Sequence, residues 1–198
     1  MKLIDRFIDI FWPLLEKEGN TNQASTNVDF SKIDSNNLSE LFDRIIACYN
    51  EEEKRRKNVE SKSNSIIGAS CISLFLITAI CVNMMRCKEI DVLTMIIAVL
   101  LIVLIAYLGR SVWFSIKVFE RKPYSILLAE EYISAYSKPN IYEDLITNLS
   151  EAIRFNAKIN NSKVDNMTMA QEYFKRAIVS LCSFGILFAL ECLIMKIF

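Results

Sequence analysis

Residues 65–85 read SIIGASCISLFLITAICVNMM, and residues 92–109 read VLTMIIAVLLIVLIAYLG. Neither stretch carries a charge. Each is about 20 residues long, enough to cross roughly 30 Å of hydrocarbon as a helix. Ser111 to Phe114 can extend the second. Only RCKEID, Arg86 to Asp91, separates the two. A connection that short makes an antiparallel hairpin. The rival reading is a hairpin buried in a soluble bundle, but soluble helices of this length show a polar face. Lipid is therefore the expected solvent.

A third apolar run, AIVSLCSFGILFALECLIMKIF, closes the chain from Ala177 to Phe198. It carries Glu191 and Lys196. A central charge costs about 2.5–3.5 kcal/mol on insertion scales. Leu, Ile, Phe and Val, at about −0.3 to −0.6 kcal/mol each, offset it. The run is read as a third span; a hydrophobic helix packed on the hairpin is the alternative. Orientation follows the basic residues near the span ends. Lys54, Arg55, Arg56, Lys57 and Lys62 precede span one. Arg110, Lys117, Arg121 and Lys122 follow span two, and Lys175 and Arg176 precede span three. The hairpin tip has only Arg86 and Lys88. The N-terminus and the segment between spans two and three are expected in the cytoplasm, with the hairpin tip and C-terminus facing outward.

On that topology Glu191 lies towards the outer face. It pairs with Arg86, Lys88 or Lys196 at the interface, or lines a water-filled path inside a bundle, or stands unpaired near the end. Asn83, near the outer end of span one, can join either arrangement. Gly185 and Ala189 form a small-x-x-x-small pattern that lets helix backbones approach, and Gly68 with Ala69 can do the same in span one.

Working outward, residues 2–18 read KLIDRFIDIFWPLLEKE. Leu3, Phe7, Phe11 and their neighbours recur at helical spacing, with Trp12 beside them. The opposite face is mixed in sign, which favours packing on protein over lying on the bilayer. Leu3, Phe7, Phe11 and Trp12 are the candidate partner-docking residues. Pro13 ends or kinks this helix. Residues 19–36 read as a flexible linker. Asn37-Leu38-Ser39-Glu40 matches a helix N-cap with a glutamate after it. The helix then meets EEEKRRK, residues 51–57. Glu51–Arg55, Glu52–Arg56 and Glu53–Lys57 stand four apart in the favoured order. A solvated helix with internal ion pairs is preferred to an RNA or lipid patch.

After span two, Pro123 is expected in the first turn of a helix running to about Ser137. Pro139 breaks the chain again, and Asn140-Ile141-Tyr142-Glu143 repeats the capping pattern. A long apolar stripe follows, interrupted by Asn156, Asn160 and Lys163. These residues form either a register-setting polar seam or a local kink.

The domain reading is thus an amphipathic helix (1–18), a linker (19–36), a cytoplasmic juxtamembrane helix (37–63), a transmembrane hairpin (64–118), cytoplasmic helices (119–175) and a third transmembrane helix (176–198). The fold class is all-α, an integral membrane helical protein. Gly 4 and Pro 3 agree with long helices.

The chemistry is spare. There are 23 basic and 23 acidic residues and no histidine. No global field favours nucleic acid, and the usual neutral-pH base and metal ligand is missing. The six cysteines form no C-x-x-C pair. Cys71, Cys81, Cys182 and Cys192 lie in apolar runs as small hydrophobes. No phosphate-binding glycine loop and no nucleophile motif occurs. No enzyme, metal or cofactor is expected.

A long helix, a tight hairpin, then NAKINNSK at 156–163 ahead of YFKRAIVSL at 173–181 and another apolar helix make up a recognisable layout. From Asn37 onward it resembles the small transmembrane effectors of bacterial anti-phage systems. These include SLATT-type two-span proteins and the effectors paired with retrons or with cyclic-nucleotide signalling. Those families carry no catalytic residues to transfer. The resemblance implies a homo-oligomer in the lipid bilayer. A soluble sensor or inhibitor protein, with a nucleoprotein among the candidates, holds it inactive, and its release compromises the inner membrane. The third span and the N-terminal amphipathic helix depart from the simplest two-span members and leave the pore-lining helix open. A membrane-anchored adaptor and a small channel subunit are the rival functions.

Overall fold

In a computed structural model the described residues are 35–85, 92–126 and 140–197. The N-terminal helix with Leu3, Phe7, Phe11 and Trp12, the linker, the hairpin tip and residues 127–139 lie outside them. Among the described residues all regular structure is α-helical. Helix α1 spans Ser35–Met85, α2 spans Val92–Val118 and α3 spans Ile141–Ile197. All three are long and apolar enough to cross a membrane.

The helices run long because nothing breaks them. Pro13, Pro123 and Pro139 all fall outside, and each helix interior meets one glycine: Gly68, Gly109 or Gly185. Hydroxyls in the apolar runs do not compete with the helix. Ser73 donates to the Ala69 carbonyl at 2.9 Å, Thr78 to Leu74 at 2.8 Å and Ser183 to Val179 at 3.0 Å. A hydroxyl bonded one turn back needs no water, so it is tolerated where water is absent.

Helix ends follow local chemistry. Asn140 precedes α3 and accepts from the Asp144 amide at 3.3 Å through its carbonyl, while its side chain meets Glu143 at 3.3 Å. Glu143 and Asp144 place negative charge in the first turn, where the helix dipole favours it. At the other end of α2, Phe119 donates to the Ile116 carbonyl at 2.9 Å, a tightened last turn with Lys117 beside it.

Two local expectations need correction. Asn37 is not an N-cap, because α1 already runs from Ser35. Residues 121–126 are not helical, so no helix starts at Pro123; Ser125 instead gives its backbone to a side chain described below. The Asn156–Lys163 stretch is helical throughout, within α3.

The chain forms two compact units. In the first, from Val59–Glu120 and Val164–Phe198, α2 runs antiparallel to α1 and to α3. Val59, Val118 and Met167 cluster at one level. Next come Ser63, whose hydroxyl donates to the Ser115 carbonyl at 3.2 Å, and Ser111, which donates to the Ala170 carbonyl at 2.8 Å. Farther along, Ile77, Leu104, Tyr107, Leu108, Met169, Tyr173 and Ala177 form the main core. Tyr173 is fully buried and stacks on Phe114, ring centroids 5.7 Å apart, with Tyr107 at 6.3 Å. The second unit comprises residues 35–58 and Arg121–Lys163. There Phe42 meets Tyr142 edge-on at 5.8 Å, and Leu145, Ile146, Leu149, Ala152 and Ile159 are buried.

Replacing Tyr173 with alanine should cost about 3 kcal/mol or more, as for large aromatics truncated in a packed core. Val179→Ala, on a largely exposed position, should cost less than about 1 kcal/mol. Thermal unfolding of both variants in the same detergent checks the contrast.

Candidate functional site

Within the first unit the described helices leave most of their apolar surface outside. In the most hydrophobic windows of α1, α2 and α3 only 17%, 28% and 17% is buried inside the chain. Phe75 is 75% exposed, Val179 67% and Ile102 66%. A folded chain in water does not leave a surface of this kind uncovered.

What the helices do bury includes serine. Ser63 and Ser70 on α1, with Ser111 and Ser115 on α2, are wholly inaccessible. Small residues let two helices approach where lipid provides no hydrophobic drive. The spacing of seven on α1 and four on α2 puts each pair on one helix face. The spacing is visible in the sequence, but small-residue patterns around glycine stand out more there. Ser63 and Ser111 are hydrogen-bonded as above; Ser70 Oγ and Ser115 Oγ have no partner.

The glycines play no such part inside the chain. A Cβ built on Gly68 or Gly185 would meet nothing within 4 Å. Gly68, Gly185 and Ala189 are all exposed, so any close approach they permit is to something other than this chain's own described helices. Asn83 lies in α1 and Glu191 in α3; their side chains fall outside the described set.

At the end of the apolar stretch, aromatic and basic groups meet. The Arg110 guanidinium lies 5.2 Å from the Phe114 ring and 5.3 Å from that of Tyr173. Lys117 Nζ lies 5.8 Å from the Trp113 ring. On α3, Glu172 takes Lys175 at 2.6 Å and Arg176 at 3.2 Å. Rings and long basic stems of this sort belong to membrane–water interfaces.

The polar seam belongs to the second unit. Asn156 is fully buried, Asn160 1% exposed and Lys163 7%. The Asn156 amide treats Ser125 as a second strand would. Its Oδ1 accepts from the Ser125 N–H at 2.9 Å, and its Nδ2 donates to the Ser125 carbonyl at 2.9 Å. Tyr49 also donates to that carbonyl, at 3.3 Å, and Lys122 donates to Ser162 Oγ at 2.6 Å. The 121–126 segment is non-helical because its backbone has this partner. Asn160 reaches the other way. Its Nδ2 donates to the Glu52 carbonyl at 3.0 Å and to Glu52 Oε2 at 2.8 Å.

These bonds rearrange the expected ion pairs on α1. Glu53–Lys57 forms, at 2.8 Å. Arg55 instead meets Glu52 one turn back at 3.4 Å and donates to Asn161 at 2.9 Å. Arg56 lies over the Tyr124 ring, 4.4 Å from its centroid. The charged run is thus partly an inward face, which the spacing rule alone did not show. Lys57 beside it, by hydrogen bond and charge, holds the Glu53 carboxyl below its ordinary range.

Three buried polar atoms stay without a hydrogen bond here: Arg56 Nε, Tyr124 Oη and Asn160 Oδ1. Burial pushes the Tyr124 phenol up. Arg56 opposes the rise, Tyr49 and Glu53 add to it, and the nearby Asn160 amide lowers it without reaching hydrogen-bond geometry. Among the described residues no cluster of three or more acidic or cysteine side chains is placed to hold a metal.

Asn156→Ala should destabilise the protein by about 1–3 kcal/mol, because it leaves the part-buried Ser125 N–H unpaired and takes one of two donors from the Ser125 carbonyl. Hydrogen exchange at the Ser125 amide should quicken in parallel. Tyr124→Phe should change stability at neutral pH by less than about 0.5 kcal/mol, since the hydroxyl has no partner to lose.

The same residue sets a pH effect. A raised folded value means the neutral phenol is favoured by folding. Its contribution is complete below the ordinary tyrosine value, about 10, and is lost as pH rises through the folded value. Denaturant titrations at neutral pH and near pH 11 should show a smaller alkaline loss in Tyr124→Phe than in the unaltered chain.

No family model matches the chain, and no curated protein and no solved structure matches it significantly.

Proposed function

We propose that this chain is a multi-pass membrane protein that self-associates and permeabilises or depolarises the bilayer when a sensor partner releases it. One observation carries the reading. The three apolar helices present most of their large hydrophobic side chains outward, a surface that lipid and further copies of the chain can cover. Placed this way, α1 and α2 form a two-span hairpin and α3 supplies the third span. The N-terminus and the Asn156–Lys163 seam then sit on the cytoplasmic side, following Lys54 to Lys62, Arg110, Lys117, Lys122, Lys175 and Arg176. The layout shared with anti-phage transmembrane effectors supports the permeabilising role. Gly68, Gly185 and Ala189, open on the outer surface, are the positions where neighbouring copies approach.

A second reading has an observation of its own. The unit containing Asn156 and Asn160 buries an amide network beside Leu149, Ala152 and Ile159, which fits an adaptor that holds a soluble partner through its cytoplasmic helices.

Induced expression with a potential-sensitive dye separates the two. The effector should collapse the membrane potential, and Gly185→Leu or Glu191→Ala should abolish the collapse while the chain still fractionates with membranes. An intact potential with a stable co-purifying soluble protein would instead establish the adaptor. A steady, harmless ion flux would identify a channel subunit.

A further inference from the structure

Each apolar run is by itself about as long as a bilayer is thick, but the three are out of step. Ser63 pairs with Ser115, and Ser111 with Ala170. Carrying these registers along straight helices, Ser65 of α1 comes opposite about residue 113 of α2 and about residue 168 of α3. The apolar run of α3 starts only at Ala177, after Arg176. It is displaced by about two and a half turns, roughly 13 Å, relative to that of α1.

Exposure reports the same offset independently. Among the described side chains of α1 in this unit, the exposed large apolar ones are Ile72, Phe75 and Leu76. The exposed positions before them in the run, Ser65, Gly68 and Cys71, are small. On α2 they run from Val92 to Ile105, and on α3 from Ile178 to Leu190 and Leu193. In the shared register Ile72, Ile105 and Ile178 stand nearly level, and Leu190 stands nearly level with Val92. Past Ile105 the exposed α2 positions are Ala106 and Gly109; large apolar exposure resumes at Trp113, next to Lys117.

The charges mark the same edges. Between Arg176 and Glu191, α3 holds only Ala177 to Leu190 without a charge. That segment is about 14 residues, or about 21 Å. By register, position 191 falls beside the start of α2. Lys175, 70% exposed at its side chain, and Arg176 stand at the opposite edge.

We propose that the chain fits, and imposes, a hydrocarbon layer of about 20 Å, against roughly 30 Å for an ordinary bilayer. The partner of its outer surface is thinned lipid. This rests on the membrane reading above and supplies it with a physical route: a ring of such chains strains the bilayer around it by mismatch. Lys175 and Arg176 fix the near edge, and Ala177–Leu190 fixes the thickness.

The test is reconstitution of the full chain into phosphatidylcholine vesicles with monounsaturated acyl chains of 14, 18 or 22 carbons. Inserted protein is measured by flotation after alkaline extraction. Insertion should be highest in the 14-carbon bilayer and fall at least about fivefold by 22 carbons. Lys175→Leu with Arg176→Leu lengthens the α3 belt and should move the optimum to thicker bilayers. If that pair does not give normal helical circular dichroism, Lys175→Leu alone should move it in the same direction. Equal insertion in all three bilayers, or an unaltered optimum in the folded variants, overturns the thin-belt inference while leaving membrane insertion intact. No insertion in any bilayer overturns the membrane reading itself.

Discussion

Three helices cannot cover the apolar surface that this chain gives them. A helix in a three-member bundle faces its neighbours on one side only. The remaining side must be polar if water is the solvent. Here the remaining side carries Phe75, Ile102, Val179 and Ile186. That arithmetic of faces sets the other features in place. Hydroxyls among these helices bond within their own helix at Ser73, Thr78 and Ser183, or to a neighbouring helix at Ser63 and Ser111. With lipid as the solvent, tight packing rather than burial from water would be the source of association between the helices. The four inaccessible serines and the stacked Tyr173–Phe114 pair supply such packing.

The chain handles polar groups differently in its two units. In the apolar unit the serine and threonine hydroxyls at Ser63, Ser73, Thr78, Ser111 and Ser183 bond to a nearby carbonyl, while Ser70 Oγ and Ser115 Oγ have no hydrogen-bond partner. In the other unit, long amides cross between elements and stand in for backbone partners. Asn156 does for Ser125 what a neighbouring strand would do, and Asn160 holds Glu52 by carbonyl and carboxylate together. Such an arrangement fixes register, since a shift of one residue on α3 would leave several buried groups unpaired at once. It remains imperfect at Arg56 Nε, Tyr124 Oη and Asn160 Oδ1. A seam with unsatisfied members is held less firmly than one fully bonded.

Much of this was legible in the residues. The apolar runs, the short RCKEID connection and the absence of internal proline lead directly to three long helices. The start of α3 just after Asn140 follows from Pro139 before it and the acidic first turn after it. What was not legible was sideways. Helical periodicity says which positions share a face but not what that face meets. The EEEKRRK run therefore read as a solvated ladder, although Arg55 and Arg56 turn to Asn161 and Tyr124. Pro123 read as a helix start because proline suits a first turn. Only the distant Asn156, 31 positions from Ser125 along the chain, gives the non-helical backbone there its hydrogen-bond partner. The serine pairs were visible but carry no message until the packing of α1 on α2 shows that they face each other.

Register is the level at which a sequence of apolar runs becomes a shape in a membrane. Counted one at a time, the runs license three ordinary spans. Set side by side by Ser63–Ser115 and Ser111–Ala170, they overlap over only about two-thirds of a bilayer's hydrocarbon depth. Glu191, which reads in isolation as a costly charge within a span, then occupies the far edge of that overlap, as Arg176 occupies the near one. Two charges that look like blemishes in a long span are the natural ends of a short one. A helix so bounded cannot lengthen its belt by tilting, because tilt shortens the depth it covers. The accommodation falls to the lipid. On the proposed reading each copy obliges its lipid to thin, so the disturbance would grow with the number of copies that gather.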